Sequence, residues 1–175
     1  MTTLKAEKYE ATRITVQSPH SFDQVLNKLY SSIGDSSRID EWKKTAKSIT
    51  SYSEESRKQF EDRANETVGP HGFMIFHEFN HGLWIPLFGV GDGLKIQRVI
   101  LGNPLIAITM LRRDVTAGLA VPVEVLVREI EKGGRTEMVY NLPSGLIAGL
   151  NRDDELVKAV GILDEKLEKL VKFCC

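Results

Sequence analysis

Two histidines four residues apart, His77 and His81, close an apolar run within the stretch Gly72 to Pro104, GFMIFHEFNHGLWIPLFGVGDGLKIQRVILGNP. On a helix that spacing puts both imidazoles on one face, and His77-Glu78-Phe79-Asn80-His81 has the outline of the zinc-binding HExxH pattern. The residues around it are those of a strand, and along a strand four residues span about 13 Å. Two nitrogens on one metal, each about 2.1 Å from it, lie only about 3 to 4 Å apart. An extended backbone therefore excludes a shared ion. No third ligand stands out, so neither a metal nor an organic cofactor is expected. Period two sends His77, Phe79 and His81 to one face and Glu78 and Asn80 to the other. With Gly82 turning the chain, His81 is expected to point into a cleft at the strand end, where a neutral imidazole serves as a general base or a ligand contact. A structural histidine holding the turn is the competing reading.

Gly102-Asn103-Pro104 is the second candidate. Glycine permits close backbone approach, Asn103 suits the cap of a helix opened by Pro104, and such a helix start can present backbone donors to an anionic group. Capping alone also explains the three residues. Tyr140 ends a later strand and is expected to bring its phenol to the same region, with Pro122 at the start of the strand before it. Trp84, Phe88 and Met110 are candidates to line an apolar cavity. The expected ligand contacts are thus His77, Asn80, Trp84, Asn103, Pro104 and Pro122, with His81 and Tyr140 available for acid–base work. The chain has no P-loop, GxGxxG, GxSxG or paired CxxC, which argues against the commonest nucleotide, hydrolase and zinc classes.

The elements that must position these groups are legible in the hydrophobic pattern. Tyr9 to Gln17 alternates as an early strand. Ser21-Phe22-Asp23-Gln24 is a capping box, and Phe22, Val25, Leu26, Leu29, Tyr30 and Ile33 follow at helical spacing up to Gly34. Residues 36 to 69 are polar, with only thin stripes (Ile39, Trp42, Ala46, Ile49; Phe60, Ala64, Val68), and read as a helical insertion. Strands are expected at Phe73 to Phe79 and Leu94 to Leu101, with a turn or short helix between, at Leu83 to Val90, and a helix from Pro104. Val121 to Ile130 and Thr136 to Asn141 flank a Gly133-Gly134 hairpin turn. Ser144 suits the cap of a short helix, and Arg152 to Phe173 forms a closing amphipathic helix. Strands grouped centrally with helices at the ends predict an α+β fold around an antiparallel sheet.

At 175 residues the chain fits one domain. A formal net charge of −1 leaves no basic footprint for nucleic acid. No apolar run approaches the roughly 20 residues a membrane span needs. The polar start MTTLKAEKYEATR lacks a signal core, so a cytoplasmic setting is expected. The only cysteines are the adjacent Cys174 and Cys175, read as a tail with exposed thiols.

From about Gly72 to Gly149 the chain resembles the domain of unknown function 302 family. That family carries Ile-Asp-His ending one strand, Gly-Asn-Pro ending the next, a Leu-Pro strand, and a strand ending in Tyr. Here Phe79-Asn80-His81 stands for the first and Gly102-Asn103-Pro104 matches in full. Val121-Pro122 followed by Val123 to Val127 stands for the third, and Val139-Tyr140 for the last. Asn80 replaces the aspartate, so His81 lacks the carboxylate that would orient it, and Val121 replaces the leucine. The resemblance implies a TATA-binding-protein-like arrangement, a curved antiparallel sheet with helices on one face in the order β-α-β-β-β-β-α. It implies no DNA binding, because function belongs to sites rather than folds. The leading functional expectation is a small-molecule binding domain with its pocket between the sheet and the C-terminal helix. The alternatives are a cofactor-independent lyase, isomerase or cyclase using His81 as base with Tyr140 or Asn103 beside it, and a module that self-associates, for instance as a homodimer.

Overall fold

The computed structural model describes residues 2–175. Five antiparallel strands form one open sheet in the order β1-β5-β4-β3-β2: β1 (Arg13–Ser18), β2 (Met74–Asn80), β3 (Ile96–Gly102), β4 (Val123–Glu129) and β5 (Thr136–Asn141). β3, β4 and β5 alternate, so Val99, Leu101, Val125, Val127, Met138 and Tyr140 are buried beneath the helices. The other face carries ion pairs: Arg98 with Glu124, and Arg128 Nε with Glu137 Oε1 at 2.6 Å. One apolar face and one charged face is the pattern of an antiparallel sheet covered on one side.

Two long helices supply the cover. α1 (Phe22–Ile33) starts at Ser21, whose hydroxyl accepts the Gln24 N–H while the Gln24 side chain accepts the Ser21 N–H. It buries Phe22, Val25, Leu29 and Ile33 and ends at Gly34, whose φ of +79° suits a residue without a Cβ. The closing helix, Asp154–Cys174, is capped by Asp153 accepting the Leu156 N–H at 2.9 Å, and it buries Leu156, Val160, Leu163, Leu167 and Leu170. Between α1 and β2 the polar segment forms α2 (Ser37–Lys47) and α3 (Glu54–Thr67). Trp42 joins them to the sheet, its ring 5.4 Å from both Phe60 and Phe76, edge to face. The lower half of the expected stripe is unused, since Ala46 and Ile49 face solvent.

Three expectations are corrected by geometry. The first strand begins at Arg13, not Tyr9, because its partner β5 ends at Asn141 opposite Arg13. β4 begins at Val123, not Val121, since Pro122 has no N–H to offer the ladder. Ser144 caps no helix. The short α5 (Pro143–Ile147) opens two residues earlier than such a cap would set, after Leu142, and the Ser144 N–H is taken by Asp164 Oδ1 at 3.0 Å from the closing helix. With α4 (Pro104–Leu111) also present, that closing helix is α6.

The expected exposed thiols are likewise corrected. The last turn of α6 packs inward, leaving Cys174 buried and Cys175 half-buried. The Ser18 hydroxyl donates to the Cys175 carbonyl at 2.8 Å. Burial, with the neighbouring Cys175 thiol, pushes the Cys174 thiol up to about 12. Alkylation by iodoacetamide at pH 8 is expected to be about 1,000-fold slower at Cys174 in the folded chain than in urea, since only the thiolate reacts. Peptide mass spectrometry reads this directly, and equal rates in the two states would contradict the burial.

Candidate functional site

The Gly-Asn-Pro tripeptide stands where β3 passes into α4. Asn103 Oδ1 accepts the Leu105 N–H at 2.8 Å and so caps the helix that Pro104 begins. Its Nδ2 donates to the Gly72 carbonyl at 3.0 Å, which ties the start of β2 to the end of β3. Gly102 is required by crowding: a Cβ there would meet the Pro122 Cβ at 3.0 Å and the Phe76 ring at 3.4 Å. These residues border a half-open cavity of about 150 Å³, lined also by Phe76, Ala107, Met110, Val121 and Leu163 of α6. Asn103, Pro104 and Pro122 all line it, so the structure unites three of the expected contacts. Asn103 is the polar side chain among them, and both ends of its amide are engaged. No charged residue lines the cavity.

A second, larger groove of about 720 Å³ shares Gly118, Val121, Pro122 and Val123 with the cavity and continues past Arg98, Glu124 and Asp114. Pro122 and its neighbours are therefore the wall between an apolar chamber and a charged groove. Asp114 is held below the ordinary carboxylate range mainly by the Thr116 hydroxyl and the Asn151 amide.

The histidines lie elsewhere. β2 is extended through Asn80, and His77 and His81 flank the Phe79 ring, with centroids 4.5 Å and 6.4 Å from it. The row continues from His81 to Trp84 at 6.0 Å and from Trp84 to Phe88 at 6.2 Å. Arg98 rests over Phe79, 5.5 Å from its centroid. A bulge between Ile75 and His77 explains this placement, because it inserts Phe76 and reverses the alternation. Ile75 faces the core opposite Leu101, whereas His77 lies opposite Ile100 on the open face. Glu78 faces inward, accepting the Tyr30 hydroxyl at 2.7 Å and the Gln97 amide at 3.2 Å. Burial, then the Glu78 carboxylate, raises the Tyr30 phenol. Among the described residues no group of three His, Cys, Asp or Glu side chains has metal-holding geometry.

The expected convergence of His81, Asn103 and Tyr140 at common strand ends does not occur. β2 and β3 are antiparallel, so the residue after β2 and the residue after β3 lie at opposite ends of the sheet. Roughly 20 Å of strand separates them. Tyr140 ends on the Asn103 side but is directed into the core, where burial, then Glu168 and Asp164, raise its phenol. Trp84 and Asn80 belong to the His81 end, and both are exposed. Phe76, Ala107, Val121 and Leu163, which shape the cavity, went unmarked because apolar wall residues look like core in a sequence.

The family profile named Domain of unknown function DUF302 matches residues 49–173, a span that includes α3 and the whole of β2 to β5. A crystal structure of an uncharacterized conserved DUF302 protein from Bacillus stearothermophilus aligns over 93% of this chain and 98% of that chain, with 17% identity and a TM-score of 0.60. At that identity the likeness speaks to the fold. Comparison with curated proteins gives no match. No helix among the described residues is long and apolar enough to cross a membrane. The profile spans well over half of the sequence, carries the Gly-Asn-Pro corner and both neighbouring strands, and agrees with the shared fold: the chain belongs to the domain of unknown function 302 family.

Proposed function

We propose that the chain binds a small molecule by seating an apolar group in the cavity between the Gly-Asn-Pro corner, Pro122 and α4. The observation that carries this reading is the cavity's lining: it is apolar but for the Asn103 side chain, whose amide is already satisfied at both ends. A half-open apolar pocket of about 150 Å³ is large enough for a benzene-sized group. The ligand class that fits is a compact ring or branched alkyl group, with any polar extension leaving past Pro122 toward Arg98 and Glu124. Binding is favoured over acid–base catalysis because the cavity holds no titratable group, while His81 and Tyr140 share no space with it.

The test fills the cavity. Ala107→Leu adds three carbons to its wall, and is expected to abolish the rise in melting temperature that toluene or indole produces in the unaltered chain. The same variant should melt within about 1 kcal/mol of the unaltered chain, since cavity filling commonly stabilises. Native mass spectrometry of protein from its own host should show a retained molecule that the variant lacks. An unaltered chain that neither responds to the probes nor retains a molecule would end this reading.

A further inference from the structure

A cluster of large apolar side chains stands in solvent at the end of the sheet away from the cavity. Leu83, Trp84, Leu87 and Phe88 are 79%, 50%, 83% and 74% exposed, on consecutive tight turns just after β2. Phe79 and His77 extend the cluster onto the open sheet face. From Phe79 to Gly91 the sequence contains no Asp, Glu, Lys or Arg. Exposed contiguous apolar surface on this scale marks an interaction site.

The bulge at Phe76 and the Trp42 ring of α2 cover the first half of the neighbouring edge, but beyond them His77, Phe79 and Asn80 are exposed. β2 is the last strand of the sheet, and among the described residues no backbone group outside β3 bonds to His77, Glu78, Phe79 or Asn80. Edge strands are ordinarily blunted by lysine, proline or inward-pointing charge along the free edge. This one carries neither lysine nor proline. Its single charge, Glu78, points inward but is paired with the Tyr30 hydroxyl and the Gln97 amide, so it sets no bare charge against an approaching strand.

We infer that a second copy of this chain docks here, pairing His77 to Asn80 edge to edge and covering Leu83, Trp84, Leu87 and Phe88. Counting a whole large side chain as about 150–250 Å², the exposed apolar groups offer roughly 700 Å², close to the approximately 800 Å² per partner of a standard interface. An identical edge laid antiparallel to itself makes a two-fold contact in which one surface serves both partners. A lipid surface fits less well, because anionic bilayers recruit unpaired lysine and arginine. Here Arg98 is held by Glu124, Lys95 is held by Asp23, and the charge nearest the loop is the acidic Asp92.

Sedimentation velocity of the full chain from about 1 μM to about 100 μM tests this. The expected mass is twice the 19.6 kDa of one chain. The double variant Leu83→Asp, Phe88→Asp should sediment as one chain with an unchanged circular dichroism spectrum, its dissociation constant raised at least about 30-fold. Hydrogen exchange of the His77 to Asn80 amides in the unaltered chain should slow as concentration rises, which needs no variant. A single-chain mass across the whole range, exchange independent of concentration, or a dimer indifferent to the double variant would overturn the inference. So would a single chain that co-sediments with phosphatidylcholine vesicles, in favour of lipid.

Discussion

Replacing Gly69 by alanine is expected to lower the melting temperature by at least about 6 °C, the largest effect of any single added methyl group in this chain. Gly69 crosses the C-terminal turn of α1 so closely that a Cβ would lie 1.8 Å from the Ser32 carbonyl oxygen and 2.6 Å from its carbon. Both are backbone atoms, so neither can rotate away. The chain cannot retreat either. The Gly69 N–H donates to the Phe73 carbonyl at 2.8 Å, and the Gly69 carbonyl accepts the Gly72 N–H at 2.8 Å. Relief requires moving the lead-in to β2 away from α1, and overpacking of this severity costs about 3 kcal/mol or more. Gly161→Ala is the control. Its Cβ would meet nothing within 4 Å, in the middle of α6, so it is expected to stabilise by about 0.5–1 kcal/mol. If the two variants melt within about 2 °C of each other, the tight crossing is wrong.

Met110→Ala is the second large effect, and it links stability to the site. Met110 is fully buried, packs in the main core and forms one wall of the cavity. Truncation removes its side chain from the core and enlarges the chamber, at an expected cost of about 2–5 kcal/mol in urea unfolding. A bicyclic aromatic such as naphthalene should then raise the variant's melting temperature more than that of the unaltered chain, because ligand binding to the folded state adds RT ln(1 + [L]/Kd). A cost under about 1 kcal/mol would mean that the wall collapses into the gap. A full cost with no preference for the larger probe would keep the packing argument and remove the cavity as a binding chamber.

These effects separate what local pattern encodes from what packing decides. Ser21-Phe22-Asp23-Gln24 and Gly34 determine where α1 begins and ends, because caps depend on backbone groups within a few residues. The strands at Met74, Ile96, Val123 and Thr136 follow from short apolar runs broken by Gly and Pro, within a residue or two of their expected bounds. Asn103 and Pro104 likewise do locally what their types suggest, one capping and the other opening α4. The extended backbone from His77 to Asn80, ending where His81 opens a tight turn, is of the same kind, since period and composition decide it.

Which of these groups meet is a different matter. The candidate residues from Asn80 to Tyr140 follow one another as motifs, yet antiparallel pairing sends the C-terminal ends of β2 and β3 to opposite ends of the sheet. That single reversal parts His81 from Asn103, and the alternation of β5 turns Tyr140 into the core. The bulge at Phe76 decides that the histidines face outward and that Phe76 walls the cavity, and nothing in the seven residues of β2 announces it. The elements and their caps are written in local pattern, because those rest on neighbours a turn away. The cavity, the buried thiol of Cys174 and the open β2 edge beyond Phe76 arise only on packing, because each depends on which distant surfaces approach and which are left in water.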